Sequence, residues 1–135
     1  MTTTLVDSNV LLDIATDDPI WSAWSQQALA DAAADGQLMI NALIYAEVSV
    51  GFPMIEDLDD ALPADLYLRA PLPYEAAFLA GKAFVTYRKR GGEKTPAPLP
   101  DFYIGAHAAI VGCRLLTRDA KRYRTYFPDV EILAP

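Results

Sequence analysis

Two periodicities divide this chain: short apolar runs of three or four residues, and longer stretches in which apolar positions recur every three to four residues. The first run, Thr4–Val6, is predicted as a strand closing on Asp7, and Asn9–Ala15 as a helix that ends near Asp17-Asp18-Pro19. Trp21, Trp24, Ala28 and Ala32 share a helical spacing, which predicts a second helix over Trp21–Ala34, stopped by Gly36. Leu38–Ile40 is a second short strand. Asn41 suits the N-cap of a helix from Ala42 to about Val50. A short helix over 54–62 is stopped by Pro63, and 66–68 forms a strand. Pro73 is expected at the first position of a long helix that runs to Gly91-Gly92. Residues 91–100 hold two glycines and three prolines and read as a loop. A helix opened by Asp101 and running to about Gly112, a strand Arg114–Thr117, a helix opened by Asp119 and a strand Val130–Leu133 complete the order.

Short strands alternating with helices predict an α/β sandwich around a mainly parallel sheet. In open sheets of this kind ligands bind at the carboxyl ends of the strands. A length of 135 residues suits one domain over 1–135, and 53% hydrophobic residues suffice for its core. The single cysteine, Cys113, excludes an internal disulfide and agrees with a reducing compartment. No apolar run approaches the roughly 20 residues of a membrane span, and no basic-apolar leader opens the chain. A cytoplasmic, soluble protein is expected.

A net charge of −7 argues at first against a nucleic-acid ligand. Its distribution changes that view. Residues 1–87 carry thirteen acids and two bases, whereas 88–135 carry nine bases and five acids. A phosphate-bearing ligand suits the second set, Arg118, Lys121 and Arg122 above all; solvated helix faces are the plainer explanation.

Four acids fall where such a sheet would gather them: Asp7 at the end of the first strand, Glu47 on the third helix, Asp101 at a helix start and Asp119 after the fourth strand. Glu47 is placed on a face with Leu43, Ile44, Val50 and Gly51, so it interrupts an apolar stripe. A buried, unpaired carboxylate is costly, and a cation or a basic partner removes the cost. Asp7, Asp101 and Asp119 each have helix capping as the simpler role, and Glu47 has a buried ion pair. Two like charges about 4 Å apart repel by roughly 4 kcal/mol at an effective dielectric of 20. Four acids in one pocket therefore require protons or cations. Oxygen ligands favour Mg²⁺ or Mn²⁺ over zinc, for which one Cys and one His are too few.

The segments Leu-Val-Asp7-Ser8-Asn9, Ala46-Glu47, Pro100-Asp101-Phe-Tyr-Ile-Gly-Ala-His107 and Leu-Leu-Thr117-Arg118-Asp119 together resemble the PIN domain, and more narrowly the VapC-type toxins of toxin–antitoxin pairs. The resemblance covers essentially the whole chain. It implies a PIN-like three-layer fold and Mg²⁺- or Mn²⁺-dependent endoribonuclease activity on RNA. It also implies a cognate antitoxin and a homodimer. It carries the acidic positions onto Asp7, Glu47, Asp101 and Asp119, with Asp119 the most variable, and hydroxyl positions onto Ser8 and Thr117. Family members often have Thr where this chain has Ser8.

Other residues read as structural. His107 lies about 240° round the helix from Asp101 and points elsewhere. Cys113, Trp21 and Trp24 are expected in the core; the alternative for the tryptophans is an antitoxin groove with Phe52, Met54, Ile55 and Leu58. A receiver-type phosphoacceptor shares the fold class and Mg²⁺. It needs a paired acid after the first strand and a late Lys, whereas this chain has Asp7-Ser8-Asn9 and Arg118. A non-catalytic binding module is separated from a nuclease only by assay.

Overall fold

The computed structural model describes residues 2–135. Five strands form one sheet: β1 (Thr2–Val6), β2 (Gly36–Ile40), β3 (Tyr67–Arg69), β4 (Arg114–Leu116) and β5 (Ile132–Leu133). Seven helices flank it: α1 (Ser8–Ala15), α2 (Ser22–Asp35), α3 (Ala42–Ser49), α4 (Ile55–Ala61), α5 (Tyr74–Lys89), α6 (Pro100–Val111) and α7 (Lys121–Tyr126). The strand order is β3-β2-β1-β4-β5. Every pairing is parallel, so the sheet is wholly rather than mainly parallel. No described helix is long and apolar enough to cross a membrane.

This order has one functional consequence. The chain winds outward from β1 through β2 to β3, then returns to lay β4 on the other side of β1. The winding reverses between β1 and β4, where crossovers leave in opposite directions and open a crevice at the carboxyl ends. Leu5 pairs with Leu115 and Val6 with Leu116 across this junction. The Asp7 amide extends it by donating to the Leu116 carbonyl at 2.9 Å. Leu5, Val6, Leu115 and Leu116 are fully buried, as strands covered on both faces require.

Most elements occur where the apolar pattern puts them, and the departures concern ends. Pro73 is the N-cap of α5, one place before the first helical residue. Pro100 takes that first place in α6 behind Leu99, which moves Asp101 inside the first turn. The last helix starts at Lys121 after Ala120, two residues later than expected, so Asp119 caps nothing. Helix α3 ends at Ser49, which leaves Val50 outside it and 82% exposed. The buried face of α3 is Ile44 and Val48, and Glu47 lies beside that face, half-buried, rather than within it.

Gly105 explains how α6 and α7 come together. A Cβ at this position would lie 2.4 Å from the Phe127 ring. This glycine therefore lets α6 receive the aromatic that closes α7. The tryptophans are only partly buried and meet edge to face at 6.4 Å. Cys113 packs at the edge of the core, and of the expected groove residues Leu58 is buried while Met54 and Ile55 are exposed.

Candidate active site

Asp7 is the hub of the crevice. It leaves β1 in extended conformation and caps α1, accepting from the Ser8 amide through Oδ1 at 2.8 Å. Its Oδ2 accepts from the Tyr123 hydroxyl at 2.8 Å and the Thr117 hydroxyl at 2.9 Å. The residue is 3% exposed. Capping and a central position thus coincide in one carboxylate.

Two further acids reach it through single hydroxyls. The Ser8 hydroxyl donates to Glu47 Oε1 at 3.0 Å and lies 3.4 Å from Asp7 Oδ1. The Tyr123 hydroxyl, already on Asp7, lies 3.2 Å from Asp101 Oδ1. Each pair of carboxylates is therefore separated by one hydroxyl carrying one proton. Burial raises the Asp7 pKa, opposed by the Tyr123 hydrogen bond and reinforced by the Asp101 charge. Burial likewise raises that of Glu47, opposed by Ser8 and reinforced by Asp7 and Asp101. Tyr123, buried between two acids, is held well above the ordinary phenol range by burial and by those charges.

Asp101 has a second partner, Arg122, whose Nη1 donates to Oδ2 at 3.2 Å. Asp119 stands apart: it is exposed, and it faces the Asp101 side of the crevice from the turn before α7. Its backbone amide donates to the Thr117 hydroxyl at 3.2 Å. The structure thus gathers Asp7, Glu47, Asp101, Ser8 and Thr117 closely, and sets Asp119 at the rim. A separate cleft of about 700 Å³ around Thr2, Val111 and Arg114 lies at the opposite, amino-terminal edge of the sheet and contains none of these acids.

The three basic candidates have different surroundings. Lys121 is exposed. Arg122 is on Asp101. Arg118 forms a two-pronged pair with Asp13, at 2.8 and 3.0 Å, and its guanidinium lies 5.5 Å from the Trp21 ring centre. Asp13 also accepts from Ser25 at 2.9 Å. This pair ties the turn carrying Thr117 and Asp119 to α1. Asn9 adds a second tie, accepting from the Arg118 amide at 3.1 Å and donating to the Thr117 hydroxyl at 3.1 Å.

Tyr123, Asn9 and Asp13 escape a reading built on acids at strand ends and first helical turns. Tyr123 and Phe127 lie four apart and both are buried, so their spacing carried a signal inside the basic run Lys121–Arg124. Asp13 offered none, because its partner is 105 residues away. His107 is structural, as expected: fully buried, it meets Asn41 at 2.9 Å. Asn41 Oδ1 accepts from the Ile44 amide, so its NH₂ faces His107, whose Nδ1 is the acceptor. Asn41 is the N-cap of α3, so His107 steadies the helix that carries Glu47.

The donor set can be tested against a hard divalent cation. Among the described residues no three His, Cys, Asp or Glu side chains stand at coordination spacing. Hydroxyl protons lie between the carboxylates instead. All the convergent groups are oxygens, as Mg²⁺ and Mn²⁺ prefer, and burial without full neutralisation favours taking up positive charge. The residues fit the ion in kind.

A PIN domain family model matches residues 4–128. No curated protein matches the chain. Among solved structures it is similar to VapBC2 from Rickettsia felis bound to a promoter DNA fragment, with 15% identity, TM-score 0.74 and 99% of each chain covered. It is similar to VapBC-1 from nontypeable Haemophilus influenzae at 18% identity and TM-score 0.73, with 98% of each chain covered. A toxin–antitoxin complex from Klebsiella pneumoniae shares 23% identity at TM-score 0.66 over 94% of each chain. At these identities the structural likeness speaks for the fold.

Proposed function

This chain belongs to the PIN domain family, and we propose that it is a Mg²⁺- or Mn²⁺-dependent endoribonuclease acting as the toxin of a toxin–antitoxin pair. Residues 1–135 act as one domain in the cytoplasm. The observation that carries the reading is the convergence of Asp7, Glu47 and Asp101, from three different elements, on the crevice where the sheet reverses its winding.

Asp7, Glu47 and Asp101 would hold the cation, with Asp119 at the rim. A divalent ion held there would supply charge neutralisation and a more acidic water. The chain's own residues do the positioning. Thr117 and Ser8 orient Asp7 and Glu47, and Tyr123 fixes the separation of Asp7 from Asp101. Lys121 and Arg122 meet the phosphates; Arg118, engaged by Asp13, contributes by holding its turn in place. A toxin–antitoxin complex among its structural relatives supports an antitoxin partner, and the toxin itself is proposed to be a homodimer. That antitoxin lays apolar side chains along the helices from Trp21 to Leu58 and brings an Arg or Lys to the carboxylates.

Incubation of RNA with purified protein tests the chemistry. Wild type cleaves in Mg²⁺ or Mn²⁺ and not in EDTA, whereas Asp7→Asn and Asp101→Asn, confirmed folded by their melting, do not cleave. Full activity of both variants removes the site assignment. Expression of the chain alone slows growth, and a neighbouring small open reading frame restores it. Harmless expression of active protein removes the toxin role and leaves the nuclease.

A further inference from the structure

On the Asp101 side of the carboxylates opens a cleft of about 400 Å³ whose aromatic lining the hydrolytic chemistry does not use. Asp101, Asp119, Lys121, Arg122, Tyr87 and Tyr126 line it, with Arg122 between Asp101 and the Tyr87 ring. The two tyrosine rings meet edge to face with centres 5.9 Å apart, and both are only partly buried. Arg122 lies 5.3 Å from the Tyr87 ring centre, and Arg90 lies 5.5 Å from that of Tyr126.

No single simple ligand accounts for these neighbours. A bare anion needs no aromatic wall, and an apolar ligand is disfavoured by the desolvation of two acids and two cations. A nucleotide has a separate use for each part: phosphate for the cations, planar base for an aromatic or guanidinium face, and scissile bond for the acidic end. The volume is within the range of small-molecule sites. The rings share this cleft with Asp101 and Asp119, which places them for a nucleotide beside the bond being cut.

We propose that the Tyr87–Tyr126 wall is a nucleobase subsite, on which the base flanking the scissile phosphate stacks while Lys121 and Arg122 hold its phosphate. This rests on the ribonuclease reading and adds to it an unpaired base at that position. Stacking on a π-face tolerates any base, so the subsite selects single-stranded RNA rather than a sequence.

The test compares an eight-nucleotide single-stranded RNA with the same backbone made abasic at its central positions. Both are titrated by fluorescence anisotropy in Ca²⁺, under conditions where no cleavage is seen. Wild type is expected to bind the base-bearing strand at least about fivefold tighter, the low end for one stacked base. Tyr126→Leu and Tyr87→Leu should reduce this preference below about twofold, and Tyr126→Phe should keep it because the ring remains. Salt dependence should be unaltered in all three, since no phosphate contact is lost. Equal binding of both strands by wild type overturns the subsite, as does a preference that survives both leucine variants. If the leucine variants keep the preference but lose the co-expressed small partner, the wall is a protein interface and the subsite is overturned. Metal-dependent cleavage by wild type separates the readings: cleavage without base preference removes only the subsite, whereas absence of both binding and cleavage removes the nuclease as well.

Discussion

The Tyr123 hydroxyl stands 2.8 Å from Asp7 Oδ2 and 3.2 Å from Asp101 Oδ1, so one phenolic proton serves two carboxylates. The ring is buried, and its position is set by α7 rather than by β1 and α6, which place the acids. Tyr123→Phe preserves that packing and removes only the donor. Loss of a hydrogen bond to a buried carboxylate should cost about 1–3 kcal/mol in EDTA. Mn²⁺ should restore most of it, because the cation takes over the neutralisation. Urea melts with and without Mn²⁺ measure this; unchanged stability in EDTA would show that the phenol is a spectator.

The acids also give metal-free protein a pH dependence. Asp7 and Glu47 have folded pKa values above their ordinary ones. At low pH both states bind the proton, and this contribution to stability is fully present. As pH rises from about 4 through the folded values, the unfolded chain loses its protons first and the contribution disappears. The charge of Asp101 raises both groups. Asp101→Asn also gives up the partly exposed pair with Arg122, worth at most about 1 kcal/mol. Relative to wild type in EDTA, the variant should therefore gain stability between pH 5 and pH 8. Thermal melts at the two values check the sign, and a relative loss across that interval would contradict the cluster.

His107 has the opposite sign. Burial lowers its pKa, and Nδ1 must stay unprotonated to accept from Asn41. Its contribution is present above the ordinary value of about 6.5 and is lost as pH falls through the folded value. His107→Gln should remove that acid-side loss between pH 7 and pH 5. Persistence of the full loss in the variant would place its origin elsewhere.

Arg118 and Asp13 test the structural account of the basic residues. Breaking a fully buried pair costs about 3–5 kcal/mol, and here the arginine side chain is 31% exposed, so Arg118→Met should cost about 2–3 kcal/mol. Adding Asp13→Asn should return more than half of that, since the orphaned charge is then gone. Denaturant melts of the two variants and the double variant decide it.

Lys121→Ala should leave stability within about 0.5 kcal/mol, because the side chain is exposed. It should instead flatten the salt dependence of RNA binding by about 0.7 in log–log slope, one phosphate contact on a single strand. An unchanged slope would make this lysine a solvated surface charge.

The sequence by itself determined the order of elements, the parallel sheet and the positions of Asp7, Ser8, Asp101 and Thr117 at strand ends and first helical turns. These follow from local periodicity and from punctuation by glycine, proline and Asn41, which act within a few residues. Glu47 was legible as a candidate but not as a half-buried one, because its exposure depends on where α3 stops and what packs beside Val48. Tertiary structure alone decided the partners. Tyr123 reaches Asp7 across 116 positions, Arg118 reaches Asp13 across 105, and Asn9 reaches Thr117 across 108. No periodicity encodes such separations. They arise because β4 returns to the side of β1 and brings the turn before α7 over the start of α1. The same return sorts the basic run, leaving Lys121 in solvent, Arg122 on Asp101 and Arg118 on a buried acid. Charge in sequence counts cations, whereas packing decides which of them already have a partner.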